Sequence, residues 1–291
     1  MMLSPKQIAE ALQVSESSVK RWCDSGRLKT QYTSGGHRRV GTKSLLQFLR
    51  DSNKTLVHPE LLGLPAFPAD ENAYPEKLSE QLCEALLNLD ETRSRQIISE
   101  LYLSGLSVLQ IMETIIVPAL HLIGDRWQCG DVQIFQERRG CEIVTILIHD
   151  LRRMIDEPPA EAPQAIGGAV SGDPYKIPSL VIETVLKEIG WNATSLGENL
   201  PLETFGSAID ALNPTMLWLS LSYLRDVNQF LQEYQTFYQK YGDRVAIIIG
   251  GRAATPELLK QMKFFSYCES AERLVELCQT WSTIQQPHQT S

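Results

Sequence analysis

The chain has 291 residues, 43% of them hydrophobic and 21% charged, which favours two or three globular domains. No apolar run of roughly 18 residues and no secretion signal are evident, and the six cysteines form no CxxC pair, so we expect a cytoplasmic protein without a disulfide framework or structural zinc. The net charge of −8 is uneven: residues 1–54 carry +6 and the remainder −14, which indicates a basic head that contacts a polyanion.

Two proline-rich stretches divide the chain. Proline cannot continue a helix or pair within a central strand, so residues 55–75 and 158–165 are predicted to be linkers. The predicted domains are residues 1–54, 76–157 and 166–284, followed by a tail at 285–291.

The head begins with the signals of two short helices. Ser4 is a predicted N-cap, Pro5 takes the first helical position and Gln7 the capping-box position. Ser15 is predicted to cap a second helix that ends at Gly26. Two short helices around a tight turn form a helix-turn-helix, whose second helix can enter the major groove of DNA.

A hairpin is predicted next, with its turn at Ser34, Gly35 and Gly36. The segment SPKQIAEALQVSESSVKRWCDSGRL followed by GGHRRV resembles the winged helix-turn-helix of MerR-type and excisionase-type bacterial regulators. The alternative is a solvated basic surface with no role in binding nucleic acid. The resemblance implies contacts to double-stranded DNA from Ser17, Ser18, Lys20, Arg21, Arg27, His37, Arg38 and Arg39.

Apolar residues recur at helical spacing through the middle segment. Four stretches, broken near Asp90, Gly105 and Gly130, predict a four-helix bundle. The bundle resembles the helical cap of cobalamin-binding proteins, in which Pro, Gly and Trp precede a Glu-His pair that covers the upper face of the corrin ring. Pro118, Gly124, Trp127, Gly130 and Glu137 match that motif, whereas Arg138 replaces its His and Gln128 replaces a further His of the light-sensing members.

The role of Glu137 and Arg138 is open at this stage. Facing a cavity, the guanidinium of Arg138 would favour an anionic ligand. Paired with each other or with Asp131, the two side chains would be a structural ion pair, which we favour slightly.

The C-terminal segment alternates helical runs with the predicted strands AIGGAV, ATSLG, TMLWLSLS and RVAIIIGG, which predicts a doubly wound parallel sheet and a Rossmann-like α/β fold. It resembles the cobalamin-binding Rossmann-like fold, whose signature is Asp-x-His-x-x-Gly, then Ser-x-Leu, then Gly-Gly. The matching positions are Asp173, Tyr175, Pro178, Ser220, Ser222, Gly250 and Gly251, with every spacing kept. In that family the His donates to cobalt, and the Ser and the glycines line the slot for the nucleotide tail.

Residue 175 differs in chemistry from the cobalt ligand of the resembling family. A neutral phenol with a pKa near 10 is a poor cobalt donor at pH 7, and Tyr175 stands where the family has His. We therefore expect no cofactor and no metal; cobalamin held in another mode is the alternative. The ligand-binding candidates are Trp127, Glu137, Arg138, Asp173, Tyr175, Ser220, Ser222, Gly250 and Gly251.

The whole architecture resembles the CarH-type repressors, in which adenosylcobalamin assembles DNA-binding tetramers that light breaks. The sequence therefore predicts a non-enzymatic transcriptional regulator that forms a homo-oligomer, dimer or tetramer, contacts no membrane and acts without cobalamin ligated by His. The alternatives are a light-responsive repressor that binds cobalamin in a non-His mode, a corrinoid carrier or methyltransferase module, and a ligand-free body that only dimerises the head or docks another protein.

Overall fold

A computed structural model describes residues 2–33, 35–52, 54, 56–58, 61 and 75–284. Two compact units are present, Met1–Ile155 and Asp156–Ser291. Ser34 of the predicted hairpin turn, most of the first predicted linker and the predicted tail lie outside the described residues.

In the described residues of the head, the first unit has three helices and three short strands. The elements are β1 (Met2–Leu3), α1 (Pro5–Ala11), α2 (Glu16–Asp24), β2 (Gln31–Tyr32), β3 (Arg38–Gly41) and α3 (Thr42–Ser52). The strands are antiparallel in the order β1-β3-β2. The predicted caps are confirmed, because the Ser4 and Ser15 side chains accept hydrogen bonds from the first turns of α1 and α2. Ile8, Val19 and Val40 are fully buried in the core of this head.

Four helical segments follow in the first unit. They are α4 (Pro75–Leu87), α5 (Glu91–Leu103), a continuous segment made of α6 (Val108–Ile111), a π-helical turn (Met112–Ile116) and α7 (Val117–Gln128), and α8 (Ile134–Met154). The predicted breaks are confirmed: Asp90 caps α5, and Gly105 and Gly130 adopt positive φ after α5 and α7. α4 contacts α5, the π-helical turn, α7 and α8, and α3 of the head contacts α5 and α8.

Among the described residues, one helical segment, Val108–Gln128, is long enough and on average apolar enough to cross a membrane. This is weak grounds for a membrane span, because a core helix of the same length passes the same criterion. Ile111, Ile115 and Ala119 of this segment are fully buried within the first unit, so one face of it is part of that unit's core.

The second unit is a parallel sheet with helices on both faces. Its elements are β4 (Gln164–Ala169), α9 (Ile177–Glu188), β5 (Asn192–Ser195), α10 (Leu202–Leu212), β6 (Met216–Ser220), α11 (Val227–Tyr241), β7 (Ala246–Gly250), α12 (Pro256–Leu259), β8 (Ser266–Tyr267) and α13 (Ala271–Ile284). The five strands are parallel in the order β5-β4-β6-β7-β8, which confirms the Rossmann-like prediction. β4 begins inside the predicted linker, and the two-residue β8 has no counterpart among the predicted strands.

The strand order places a ligand crevice at one point of the sheet. The chain runs from β4 outward to β5 and then returns to β6 on the other side of β4, so the order reverses between β4 and β6. In open α/β sheets ligands bind beyond the carboxyl ends of the strands at such a switch point. The loops that follow β4 and β6 are therefore the first place to look for a site.

Candidate functional site

A buried carboxylate joins the two loops at the switch point. Asp173, three residues beyond the bridge at Val170, is fully buried. Its Oδ1 accepts a hydrogen bond from the backbone N–H of Tyr175 at 3.0 Å, and its Oδ2 accepts from Ser222 at 2.6 Å and Tyr223 at 3.1 Å. Asp173 thus fixes the backbone after β4 to the backbone after β6.

Burial also changes the ionisation of this carboxyl. Desolvation raises the pKa of Asp173, and the three backbone N–H donors and Arg252 offset only part of the rise. Because the pKa of Asp173 is higher in the folded than in the unfolded chain, this group favours folding most at low pH. That contribution is lost as the pH rises through the folded-state pKa.

The sheet brings several predicted ligand residues into one row. Ala169, Ser220 and Gly250 are neighbours across β4, β6 and β7 at the carboxyl edge of the sheet. Ser220 is 2% exposed, and its hydroxyl lies 3.4 Å from the hydroxyl of Ser222. Asp173, Ser220, Ser222 and Gly250 therefore lie together, although up to 77 residues separate them in the chain.

The packing of the chain itself leaves little room for a side chain at the paired glycines. Gly251 has a φ of +103°, and a Cβ added there would lie 2.5 Å from the carbonyl oxygen of Leu221. A Cβ added at Gly250 would lie 3.1 Å from the carbonyl oxygen of Cys268. Both positions are constrained without any ligand.

Tyr175 is held by a residue that the sequence analysis missed. A guanidinium N–H of Arg252 donates to the Tyr175 hydroxyl at 3.2 Å, and the guanidinium carbon lies 5.1 Å from the centre of the tyrosine ring. Arg252 also donates from Nε to the carbonyl oxygen of Ser222 at 3.1 Å. Arg252 and Tyr223 could have been found from sequence, since each is among the first polar residues after a predicted strand.

The side chains at the switch point do not suit the coordination of a metal ion by the loop after β4. No group of three or more His, Cys, Asp and Glu side chains that could hold a metal occurs in the described part of the chain. Residues 166–284 contain no histidine at all. The residues at the switch point offer a phenol, a guanidinium and hydroxyls, so they fit contact with a corrin ring but do not fit coordination of its cobalt by residue 175.

The remaining ligand candidates belong to the first unit. Trp127 in α7 is 50% exposed. At the start of α8, Arg138 Nε lies 3.4 Å from Glu137 Oε2, so these two side chains form an ion pair. The Cys141 thiol donates to Glu137 Oε1 at 3.5 Å, and burial together with Glu137 raises the pKa of Cys141 to about 12. The thiol is therefore neutral at pH 7 and is no thiolate donor.

The candidate DNA-contacting residues on α2 are mostly solvent-facing. Ser17 and Ser18 have their hydroxyls 2.8 and 2.9 Å from that of the N-cap Ser15. Lys20 pairs with Glu16 at 2.8 Å. Arg21 is exposed. Arg27, three residues beyond the end of α2, is exposed as well, and its guanidinium lies 5.7 Å from the ring centre of Phe48.

On the hairpin formed by β2 and β3, the two arginines differ. Arg38 pairs with Asp24 at 2.6 Å and donates from Nε to the Tyr32 hydroxyl at 3.4 Å, a hydrogen bond that raises the pKa of Arg38. Arg39 is half-buried and, within the described ranges, has no ion-pair partner, while His37 is exposed. Arg38 thus binds the last residue of α2, whereas Arg39 forms no ion pair with any other described side chain.

Comparison with known proteins identifies two domains in this chain. Residues 2–52 match the model of a helix-turn-helix domain, and residues 78–149 match the model of a B12 binding domain. The chain therefore combines a helix-turn-helix domain with a B12-binding region that leads into a Rossmann-like parallel sheet, and this architecture fits that of CarH-like regulators.

Two curated relatives and one solved structure illustrate the likeness. The HTH-type transcriptional repressor CarH of Myxococcus xanthus is 23% identical over 185 residues, 64% of this chain and 61% of CarH. The match thus spans less than two thirds of that repressor. Dimethylamine corrinoid protein 3 of Methanosarcina mazei is 24% identical over 161 residues, 53% of this chain and 93% of the relative. The monomethylamine corrinoid protein of Methanosarcina barkeri has a TM-score of 0.60 at 16% identity, covers 72% of this chain and 100% of its own, and shows the fold of that part.

These matches correct the expectation that no cofactor binds. A B12 binding domain occupies residues 78–149, which points to cobalamin binding. The expectation rested on one lost ligand, Tyr175 in place of His. A large ligand gains most of its affinity from buried surface and several polar contacts, so loss of one metal bond does not remove a binding site.

Proposed function

We propose that the chain is a DNA-binding transcriptional regulator whose B12-binding region holds a corrinoid without an imidazole from residue 175. The observation that carries this proposal is the presence of a helix-turn-helix domain and a B12 binding domain in one chain. The basic head and the acidic remainder support the same division between DNA binding and ligand sensing.

In this proposal α2 is the recognition helix and the hairpin of β2 and β3 is the wing. The wing would place His37 and Arg39 against phosphates or the minor groove, and Arg38 would hold the hairpin to α2 through Asp24. α4, α5, the segment 108–128 and α8 would form the four-helix bundle predicted from sequence, because α4 contacts the other three.

A second candidate function is a corrinoid carrier, which the likeness to the dimethylamine corrinoid protein favours. Such a carrier is not itself an enzyme, and neither is the proposed regulator. The helix-turn-helix domain favours the regulator, since a carrier has no need of one.

One experiment tests both parts of the proposal. The full chain is incubated with hydroxocobalamin, desalted, and titrated into a fluorescent mixed-sequence duplex. We expect coloured corrinoid to stay with the protein and the duplex to bind with an affinity that falls steeply with salt. If the chain retains the corrinoid but does not bind the duplex, the result favours the carrier. If it binds the duplex but loses the corrinoid on desalting, the cofactor part of the proposal is refuted.

Light scattering of the same samples tests the proposed homo-oligomer. Winged regulators gain specificity from paired half-sites, so we expect at least a dimer in one of the two states, with DNA or without it. Monomers in both states would contradict an oligomer.

Replacing Arg39 with Ala is expected to weaken binding to all duplex sequences alike. The loss of one phosphate contact should reduce the slope of log affinity against log salt by about 0.9, as measured by fluorescence anisotropy. Arg38→Ala should change the slope less, because Arg38 is paired with Asp24.

Arg244→Ala is the matched control, since it removes an exposed, ion-paired arginine from the second unit. If the slope of log affinity against log salt is the same for the Arg39→Ala and Arg244→Ala variants, Arg39 is not part of the DNA interface.

A further inference from the structure

Two tyrosines at the carboxyl edge of the parallel sheet are half-exposed although their backbones are held rigidly. Tyr175 is 38% exposed and Tyr223 is 48% exposed. The backbone N–H groups of both donate to the buried carboxylate of Asp173. Hydrogen bonds to one buried carboxyl group thus fix the backbone at the base of each side chain while leaving ring surface open to solvent.

Arg252 adds a third side chain from a third strand. It follows β7, donates to the Tyr175 hydroxyl and to the Ser222 carbonyl, and lies against the Tyr175 ring. The loops after β4, β6 and β7 therefore each contribute one large planar side chain at the switch point. A guanidinium that is bonded at both ends and stacked on a ring has already lost much of its conformational freedom, so binding a ligand there costs less entropy.

The chemistry of this cluster suits the face of a broad, flat ligand better than a metal ion. Aromatic side chains bury large areas against flat apolar surfaces. The Tyr175 hydroxyl oxygen already accepts a hydrogen bond from Arg252, which competes with donation to a metal.

We infer that Tyr175, Tyr223 and Arg252 form a non-coordinating platform that packs against one face of the corrin ring, with Asp173 as the residue that positions it. This inference rests on the proposed function, because the B12 binding domain supplies the identity of the ligand. It assigns a packing role to the position where the resembling family has a metal ligand, and it adds Tyr223 and Arg252 to the site.

The test uses the full chain and aquacobinamide, a corrinoid without a nucleotide tail, so that any nitrogen ligand to cobalt comes from the protein. Absorption titrations give the affinity and the ligand field of the cobalt.

We expect the wild type to bind without a change to a nitrogen-ligated spectrum. Tyr175→Ala, Tyr223→Ala and Arg252→Gln should each weaken binding by about tenfold, or roughly 1.4 kcal/mol, because each removes a planar side chain from contact with the corrin. Tyr175→Phe keeps the ring and should bind within about twofold of wild type with the same spectrum.

Tyr267→Ala is the matched control, because Tyr267 is 39% exposed and lies on the edge strand β8 away from Asp173. Hydrogen exchange of each variant checks that the second unit is folded. If the three variants bind like Tyr267→Ala, or if the wild type shows a protein ligand that Tyr175→Phe removes, the platform is refuted while the proposed function stands. If the wild type binds neither aquacobinamide nor hydroxocobalamin, the corrinoid part of the proposed function fails and the platform fails with it.

Discussion

Replacing Asp173 with Ala is expected to lower the free energy of unfolding of the second unit by about 3 kcal/mol. The carboxylate is fully buried and accepts hydrogen bonds from the backbone of Tyr175, Ser222 and Tyr223. Without it, three backbone donors lose their acceptor inside the protein. Hydrogen exchange followed by mass spectrometry should show faster exchange in the peptides that contain residues 173–175 and 222–223.

Asp226→Ala is a suitable control for this variant. Asp226 caps α11 and accepts a single backbone hydrogen bond, from Gln229 at an exposed site. Loss of such a cap costs about 1 kcal/mol. If Asp173→Ala costs no more than Asp226→Ala, then Asp173 does not hold the two loops together.

Replacing Gly251 with Ala is expected to be at least as damaging, at about 3 kcal/mol, through two separate penalties. Its φ of +103° is strained for any residue with a side chain, and the new Cβ would press on the Leu221 carbonyl oxygen at 2.5 Å. Because that oxygen belongs to the backbone after β6, it cannot move without shifting the loop. Thermal unfolding monitored by hydrogen exchange in the second unit measures the effect.

Gly197→Ala separates the two penalties. Gly197 has a φ of +110° with nothing within 4 Å of an added Cβ, so its variant reports the cost of the backbone conformation alone. Equal losses of stability in the two variants would show that the close approach of Leu221 contributes nothing.

Several residues of the cobalamin-like motif are needed by the fold of the second unit itself. The spacing from Asp173 through Ser220 to Gly250 is kept, while residue 175, where the resembling family has its metal ligand, is Tyr. Asp173 ties two loops together, and both glycines are constrained by neighbouring carbonyl groups. Asp173 and the two glycines therefore have structural roles that need no ligand. The side chain of residue 175 takes part in none of these contacts, so it can differ from the family while these three residues are kept.

The sequence alone was sufficient wherever the interactions are local. The caps at Ser4 and Ser15, the helix ends at Gly105 and Gly130, and the alternation of strands and helices all depend on residues within a few positions of one another. Such contacts form between neighbours in the chain, so the order of residue types predicts them.

Only the tertiary structure decided which distant residues share a site. Arg252 reaches Tyr175, and Asp173 reaches Ser222 and Tyr223, because parallel strands separated by whole helices end at the same edge of the sheet. On the head, the pairing of Arg38 with Asp24 separates two adjacent arginines that look alike in sequence. Strand order and side-chain packing are set by burial over the whole unit, and no local pattern encodes which charges or rings will then meet.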